Sequence, residues 1–181
     1  MARRVFFSFH YERDIWRANQ VRNSWVTKPD RETAGYWDAV QWEQVKKQGP
    51  DAIKRWIDSN LEGTSVTVVL AGAETSRREW VDYEIQRSLD KGNGLLCIYI
   101  HNMKDKDSNT DVKGDNPLDN FSVEQNGKDV PLSQIYPTYD WVNADGYENI
   151  GDWIEQAYLI VSRPELEPPS SRSAAGKGCI R

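Results

Sequence analysis

The chain is poor in cysteine and histidine and has no excess of positive charge. It contains two residues of each type among 181, too few at recognisable spacing for a zinc site. Cys97 lies in an apolar run and Cys179 in a polar segment, so we do not expect a disulfide framework. The net charge of -5 argues against a general nucleic-acid-binding protein, which usually carries a basic surplus.

Long hydrophobic runs are also absent. No stretch approaches the roughly 20 apolar residues of a membrane helix, and the N-terminal segment MARRVFFSFHYERD becomes charged too early for a signal peptide. We therefore expect a cytoplasmic protein without membrane contact. Its length fits one domain and excludes two full domains.

Several catalytic motifs are missing. The chain has neither the GxxxxGK[ST] phosphate-binding loop nor GxGxxG, and GxSxG does not occur, which excludes the corresponding nucleotide-binding and serine-hydrolase sites. Ser8, Phe9 and His10 stand where a response regulator needs an acidic pair. Response-regulator chemistry is therefore excluded.

The sequence alternates short continuous apolar runs with segments whose apolar residues recur every three or four positions, as in a helix. Strands are predicted at 5–9, 64–70, 95–100 and 139–142, with a very short one at 36–38; helices are predicted at 12–25, 50–61, 80–91 and 150–161. Gly63 is expected to end the second helix. Strands and helices in this order indicate an α/β domain, a parallel sheet wrapped by helices.

Two segments depart from this rhythm. Residues 102–134 are rich in Asp, Asn, Lys and Gly and are predicted to form a long surface insertion that is functional or mobile. From Pro164 onward the chain has the Pro, Ser and small-residue content of a flexible tail. We thus expect a domain at 1–163 and a tail at 164–181.

A carboxylate and an indole stand where a ligand is expected. Parallel sheets bind ligands beyond the carboxyl ends of their strands, and the helix that follows the strand at 64–70 carries Trp80 and Glu84, one turn apart on the same face. Eight tryptophans suggest a Trp-rich core or a pocket for planar groups. The alternative is that Trp80 belongs to the core and that Glu84 is only a solvated helix charge. In both interpretations we expect Glu84 to lie at the helix surface.

These residues resemble a known family. The opening RVFFSFHYERD resembles the first strand and loop of Toll/interleukin-1 receptor (TIR) domains, and ETSRREWVDYEI resembles the motif whose Trp and Glu line their dinucleotide pocket. More specifically, the chain resembles the TIR-like proteins of bacterial Thoeris anti-phage systems through VFFSFHY, VRNSWVT, AGYWDA, TSVTVVL, WVDYEI and YDWV. The resemblance extends from residue 3 to about residue 160.

The resemblance implies a flavodoxin-like three-layer fold and an enzyme that cleaves the nicotinamide–ribose bond of NAD. NAD is then a substrate, and no cofactor or metal is implied. Glu84 is the expected catalytic residue, stabilising the positive charge that develops on the ribose carbon. The expected product is a cyclic ADP-ribose-derived signal for a separate effector protein. The resemblance also implies homo-oligomers that form through TIR–TIR contacts.

Candidate binding residues surround this carboxylate. Phe9, Trp42 and Trp80 are expected to stack on planar rings, with cation–π attraction to the pyridinium. Arg77 and Arg78 are candidates for the pyrophosphate, although such a basic pair is often only solvated.

Three further candidates follow the predicted strands. Asp38 is a candidate for ribose hydroxyls or for a turn. Ser8 and His10 end the first strand beside the expected crevice, and His10 is expected to form hydrogen bonds because the pyridinium leaving group needs no proton.

Two other interpretations stay open. The chain could be a catalytically silent TIR-like adaptor that works by assembly, or a hydrolase or transferase acting on nucleoside N-glycosidic bonds. Incubation with NAD separates the three.

Overall fold

The computed structural model describes residues 3–27, 31–34, 39–162 and 171–173. The strands within these ranges are β1 (Arg3–Phe9), β2 (Arg31–Ala34), β3 (Val66–Ala71), β4 (Gly94–Tyr99), β5 (Phe121–Gln125), β6 (Lys128–Pro131), β7 (Thr138–Asp140) and β8 (Ser171–Ser173). The α-helices are α1 (Tyr11–Val26), α2 (Ala39–Lys47), α3 (Pro50–Leu61), α4 (Glu79–Asp90) and α5 (Gly146–Ser162).

A five-stranded sheet forms the centre of the fold. Its strand order is β2-β1-β3-β4-β7, and every neighbouring pair is parallel. All residues of β3 are buried, as expected for a parallel sheet that is covered on both faces. With the hairpin strands β5 and β6 set aside, this is the flavodoxin-like order. The predicted α/β architecture is confirmed.

Two apolar layers lie on opposite faces of the sheet. Successive side chains of a strand point to opposite faces: Val68 and Leu70 pack in a cluster with α1, α3 and α5, whereas Val69 and Ala71 pack in another with α4 and the segment after β4. Each fully buried aliphatic side chain stabilises the fold by about 1.5–3 kcal/mol. The sheet is therefore fixed from both sides, and its carboxyl edge is a rigid support for a site.

Most predicted elements are observed within a few residues of their predicted bounds. Gly63 follows the end of α3 with φ 71°, a conformation that glycine adopts readily. The sequence analysis missed β2 and α2, because it assigned no strand to 31–34 and no helix to 39–47. The short strand predicted at 36–38 lies outside the described residues.

The segment after β4 has more structure than its composition suggested. β5 and β6 form an antiparallel hairpin around Asn126 and Gly127, both with positive φ. Leu118, Val123 and Leu132 are buried in the cluster that contains α4. The predicted insertion at 102–134 is thus not a surface feature alone, because its apolar side chains extend the core.

The predicted tail is described at one place only. Ser171–Ser173 forms β8, which pairs antiparallel with β5, and the other residues from 163 onward lie outside the described ranges. The domain boundary at 163 and the flexibility of the tail stay predictions. Among the described helices, none has the length and apolar character needed to cross a bilayer.

Candidate active site

A pocket of about 390 Å³ opens at the carboxyl end of β1. The end of β1, the first turn of α1, one face of α2 and the start of α4 form its wall. The lining residues are Phe9, His10, Tyr11, Glu12, Trp42, Lys46, Arg77, Arg78, Glu79, Trp80, Val81 and Glu84. Its volume lies in the usual range of small-molecule sites, and its position is the one that parallel sheets favour for ligands.

Glu84 is the buried carboxylate of this pocket. Only 1% of its surface is exposed, so the expectation that it lies at the helix surface was wrong. Ser8, on β1, donates a hydrogen bond of 2.5 Å from Oγ to Glu84 Oε2. The other oxygen, Oε1, is buried without a hydrogen-bond partner among the described residues. Ser8 therefore lies behind the carboxylate, which keeps one oxygen for a ligand.

The environment of Glu84 favours its neutral form. Burial raises the pKa of this carboxyl from 4.5 to about 8, and the hydrogen bond from Ser8 opposes the rise only in part. A positive charge placed against Oε1 would favour the carboxylate again. The site is therefore suited to a cationic ligand, which Glu84 can neutralise.

Aromatic rings form much of the remaining wall. Ring centroids are 6.1 Å apart for Phe9 and Tyr11, and 5.7 Å apart for Tyr11 and Trp42. Trp80 is half-buried and lines the same pocket as Glu84, as their spacing predicted. Phe9 and Trp42 are also brought into the pocket, whereas Tyr11 was not anticipated. Flat, largely apolar walls of this kind suit planar rings.

Cationic side chains occupy the more exposed part of the pocket. Arg77 is exposed, and Arg78 donates a hydrogen bond of 2.6 Å from Nη2 to Glu74. Lys46 on α2 contacts Glu12 at 2.5 Å. The sequence identified both arginines as candidates and missed Lys46, because α2 itself was not predicted.

His10 lies directly after β1 and is 9% exposed. Burial and the positive charge of Arg78 lower its pKa, so the imidazole is neutral at pH 7. Its Nδ1 atom is buried and has no hydrogen-bond partner in the described part of the chain. A neutral ring in this position can form hydrogen bonds with a ligand; that it does so stays a prediction.

Two points remain, the position of Asp38 and the question of a metal site. Asp38 lies outside the described residues, so its position next to ribose hydroxyls stays a prediction. Among residues 3–27, 31–34, 39–162 and 171–173, no group of three or more His, Cys, Asp or Glu side chains could hold a metal ion.

Comparison with known proteins identifies the family. A family model described as "Thoeris protein ThsB, TIR-like domain" matches residues 6–105, a range that contains all the described residues that line the pocket. The chain is 39% identical over 191 aligned positions to a Bacillus cereus (strain MSX-D12) protein named "Putative cyclic ADP-D-ribose synthase ThsB1", and the match covers 85% of this chain and 100% of that protein. The resemblance found from the sequence is thereby confirmed, and the chain belongs to the TIR-like ThsB family of Thoeris systems.

Proposed function

We propose that the protein cleaves the bond between nicotinamide and ribose in NAD and joins the ribosyl carbon to a nucleophile within the same ADP-ribose. The observation that carries this proposal is Glu84, a buried carboxylate with one unpartnered oxygen in an aromatic pocket. The name of the Bacillus cereus relative, a cyclic ADP-D-ribose synthase, supports a cyclic product.

The carboxylate matches the charge of the reacting group. The nicotinamide ring of NAD is a cationic pyridinium and leaves as a neutral molecule without a proton. As the bond breaks, positive charge moves to the ribose carbon, and Glu84 stabilises it or bonds to it transiently. Contact with a cation also favours the ionised carboxyl over the neutral one. Binding of the cationic substrate thus favours ionisation of Glu84, the carboxyl group that then acts on the ribose carbon.

The wall of the pocket determines which nucleophile reacts. Water at about 55 M captures a ribosyl cation unless it is excluded, whereas a nucleophile held in place reaches effective molarities of about 10⁵ M or more. Phe9, Trp42 and Trp80 line the pocket with Glu84. Their rings can exclude water and hold the adenine end of the same molecule close to the ribose.

Neutral His10 is assigned to ribose hydroxyls, and Arg77 and Arg78 to the diphosphate. We further propose that the cyclic product activates a separate effector protein in anti-phage defence, as family membership suggests. A cytoplasmic location and assembly through TIR–TIR contacts belong to the same proposal.

Incubation of the purified protein with NAD tests the proposal, both alone and with lysate from phage-infected cells. We expect release of nicotinamide and a nucleotide that is lighter than linear ADP-ribose by one water in a mass spectrum. Glu84→Gln should give neither product.

The controls separate the alternatives. Glu124 on β5 is exposed, and Glu124→Gln removes the same charge outside the pocket, so full activity is expected. No nicotinamide under any condition would favour the silent adaptor, and cleavage of free nucleosides in preference to NAD would favour a nucleoside hydrolase or transferase.

A further inference from the structure

Four charged side chains form a chain of alternating sign between the segment after β4 and the pocket. Arg13 on α1 donates to both carboxylate oxygens of Asp111, each at 3.0 Å. Its Nη1 atom donates to Glu74 Oε1 at 3.3 Å. The other oxygen of Glu74 accepts from Arg78 Nη2 at 2.6 Å. We call Asp111, Arg13, Glu74 and Arg78 the charge chain.

The far end of the charge chain is held firmly. Arg17 is 3% exposed and donates to the backbone oxygens of Met103 and Asn109, at 2.9 and 3.0 Å. The Asp111 amide donates to the His101 oxygen at 2.8 Å. Because a buried arginine ties this loop to α1, Asp111 is fixed relative to the helix that carries Arg13.

A close backbone approach fixes the same segment to the loop that carries Glu74. A Cβ atom at Gly114 would lie 2.3 Å from the carbonyl oxygen of Gly72, a distance that only a residue without a side chain tolerates. The segment after β4 therefore packs directly against the residues that precede Glu74.

The near end of the charge chain is the Arg78 guanidinium, which lines the pocket with Glu84. In the described part of the chain, its side chain makes one hydrogen bond, to Glu74. Its Nε atom is buried and unpartnered there. A planar guanidinium with unused donors matches the geometry of phosphate oxygens.

Arg13 acts on the orientation of Arg78 through Glu74. The two oxygens of Glu74 contact different arginines, Oε1 accepting from Arg13 and Oε2 from Arg78. Because Arg13 is itself held by Asp111, Glu74 is fixed on one side and orients the guanidinium plane of Arg78 on the other.

We propose that Arg78 binds the diphosphate of the dinucleotide and that Glu74, Arg13 and Asp111 are positioning residues for its guanidinium. This inference rests on the proposed function and couples the segment after β4 to the substrate site through ion pairs. None of the three positioning residues lines the pocket, so they act on substrate binding through Arg78 and leave the bond-breaking step to Glu84.

The expected effects are graded. The Arg13, Glu74 and Arg78 side chains are each about 40% exposed, and ion pairs with this exposure change an equilibrium by a factor of about 1.5 to 5. Loss of a direct charge-assisted hydrogen bond changes it by a factor of about 10 or more. Asp111→Asn should therefore raise KM for NAD about 2- to 5-fold, and Arg78→Ala about 10-fold or more, both with nearly unchanged kcat.

A matched control lies on the same loop. Asp107 is exposed, and Asp107→Asn removes the same charge from the same segment, so it should leave KM unchanged. Asp111→Glu keeps the carboxylate and should restore most of the affinity. Equal effects of Asp107→Asn and Asp111→Asn would show a general charge effect and would overturn the proposal.

A double-mutant cycle tests whether Asp111 acts through Arg78. In the Arg78→Ala background, Asp111→Asn should raise KM no further, whereas a merely structural role for Asp111 would give multiplicative effects and refute the positioning role.

The same double-mutant cycle can be measured without turnover. For this, the binding of ADP-ribose is measured by calorimetry with every variant in the Glu84→Gln background. If the native protein releases no nicotinamide, the proposed function fails, while this titration still decides whether Arg78 binds a diphosphate. Absence of ADP-ribose binding, or binding unaffected by Arg78→Ala, would overturn the inference independently.

Discussion

Replacement of Glu84 with Gln should abolish NAD cleavage and at the same time raise the free energy of unfolding at neutral pH. Glutamine has nearly the same shape and can still accept the hydrogen bond from Ser8, which donates to Oε2. It lacks the charge that burial opposes. Because Glu84 is 1% exposed, the substitution changes stability as well as catalysis, whereas a surface carboxylate would have changed catalysis alone.

The size of the effect follows from the shifted pKa. The folded protein holds the Glu84 proton up to a pKa of about 8, against an ordinary value of 4.5. Below pH 4.5 both states are protonated and nothing is lost. Between these values the unfolded chain releases the proton and the folded protein does not, so stability falls as pH rises and levels off above the folded pKa. Linkage then gives a penalty of about 1 kcal/mol at pH 5 and about 3 kcal/mol at pH 7.

Denaturant unfolding of native and Glu84→Gln protein across pH 4–9 measures this penalty. The free-energy difference should be small near pH 4 and grow to about 3 kcal/mol in favour of the variant at neutral pH. Each 1 kcal/mol corresponds to a melting temperature about 2–4 °C higher for a chain of this size. Glu124→Gln should show no such pH-dependent difference. A constant difference, or a variant less stable than the native protein at pH 7, would refute the assignment of a buried, protonated Glu84.

Three other outcomes are expected. The value of kcat/KM for NAD should rise with pH and reach a plateau above about pH 8, because Glu84 of the free enzyme must be ionised to act. A flat profile between pH 6 and 9 would contradict this expectation. Trp80→Ala and Phe9→Ala should slow turnover and shift the product, measured by chromatography, toward linear ADP-ribose. Trp16→Ala is the control, because this indole on α1 is 52% exposed, and it should change neither quantity. An unchanged product ratio in the two pocket variants would show that the aromatic rings do not control the product. Truncation after Arg163 should leave turnover intact, because no described residue beyond Glu84 lines the pocket. It should lower the melting temperature by less than about 4 °C. Loss of activity would show that the tail contributes to the site.

The main elements of the fold were predictable because their periodicity is strong. β3 is a β-branched and apolar run that contains one polar residue, Thr67, β4 is almost wholly apolar, and α4 repeats apolar residues at helical spacing. The hairpin of β5 and β6 was also readable and was missed: Asn126-Gly127 is a typical two-residue turn, and Phe121 and Val123 alternate with more exposed residues along β5. Composition hid this signal, because the flanking loops are highly polar.

The burial of Glu84 had a local signal too. Val81, Ile85 and Ser88 are buried on α4, and position 84 falls on the same helical face. A charged residue on such a face is usually assigned to the surface, since unpaired carboxylates are rarely buried. The hydrogen bond from Ser8 spans 76 residues and depends on the packing of α4 against β1, which no local pattern encodes.

The buried polar groups that the fold leaves without partners match the chemical groups of the proposed substrate. Nδ1 of His10, Nε of Arg78 and Oε1 of Glu84 are all buried and unpartnered among the described residues, and all three side chains line one pocket. Each such group costs about 1–3 kcal/mol when its hydrogen bond is missing. A dinucleotide carries a cationic ring, hydroxyls and phosphate oxygens, which are the partners that these groups lack. Binding of the proposed substrate would supply the interactions that folding withholds, so we expect the residues that lower the stability of the free protein to contribute to selection of a charged, polar substrate with planar rings.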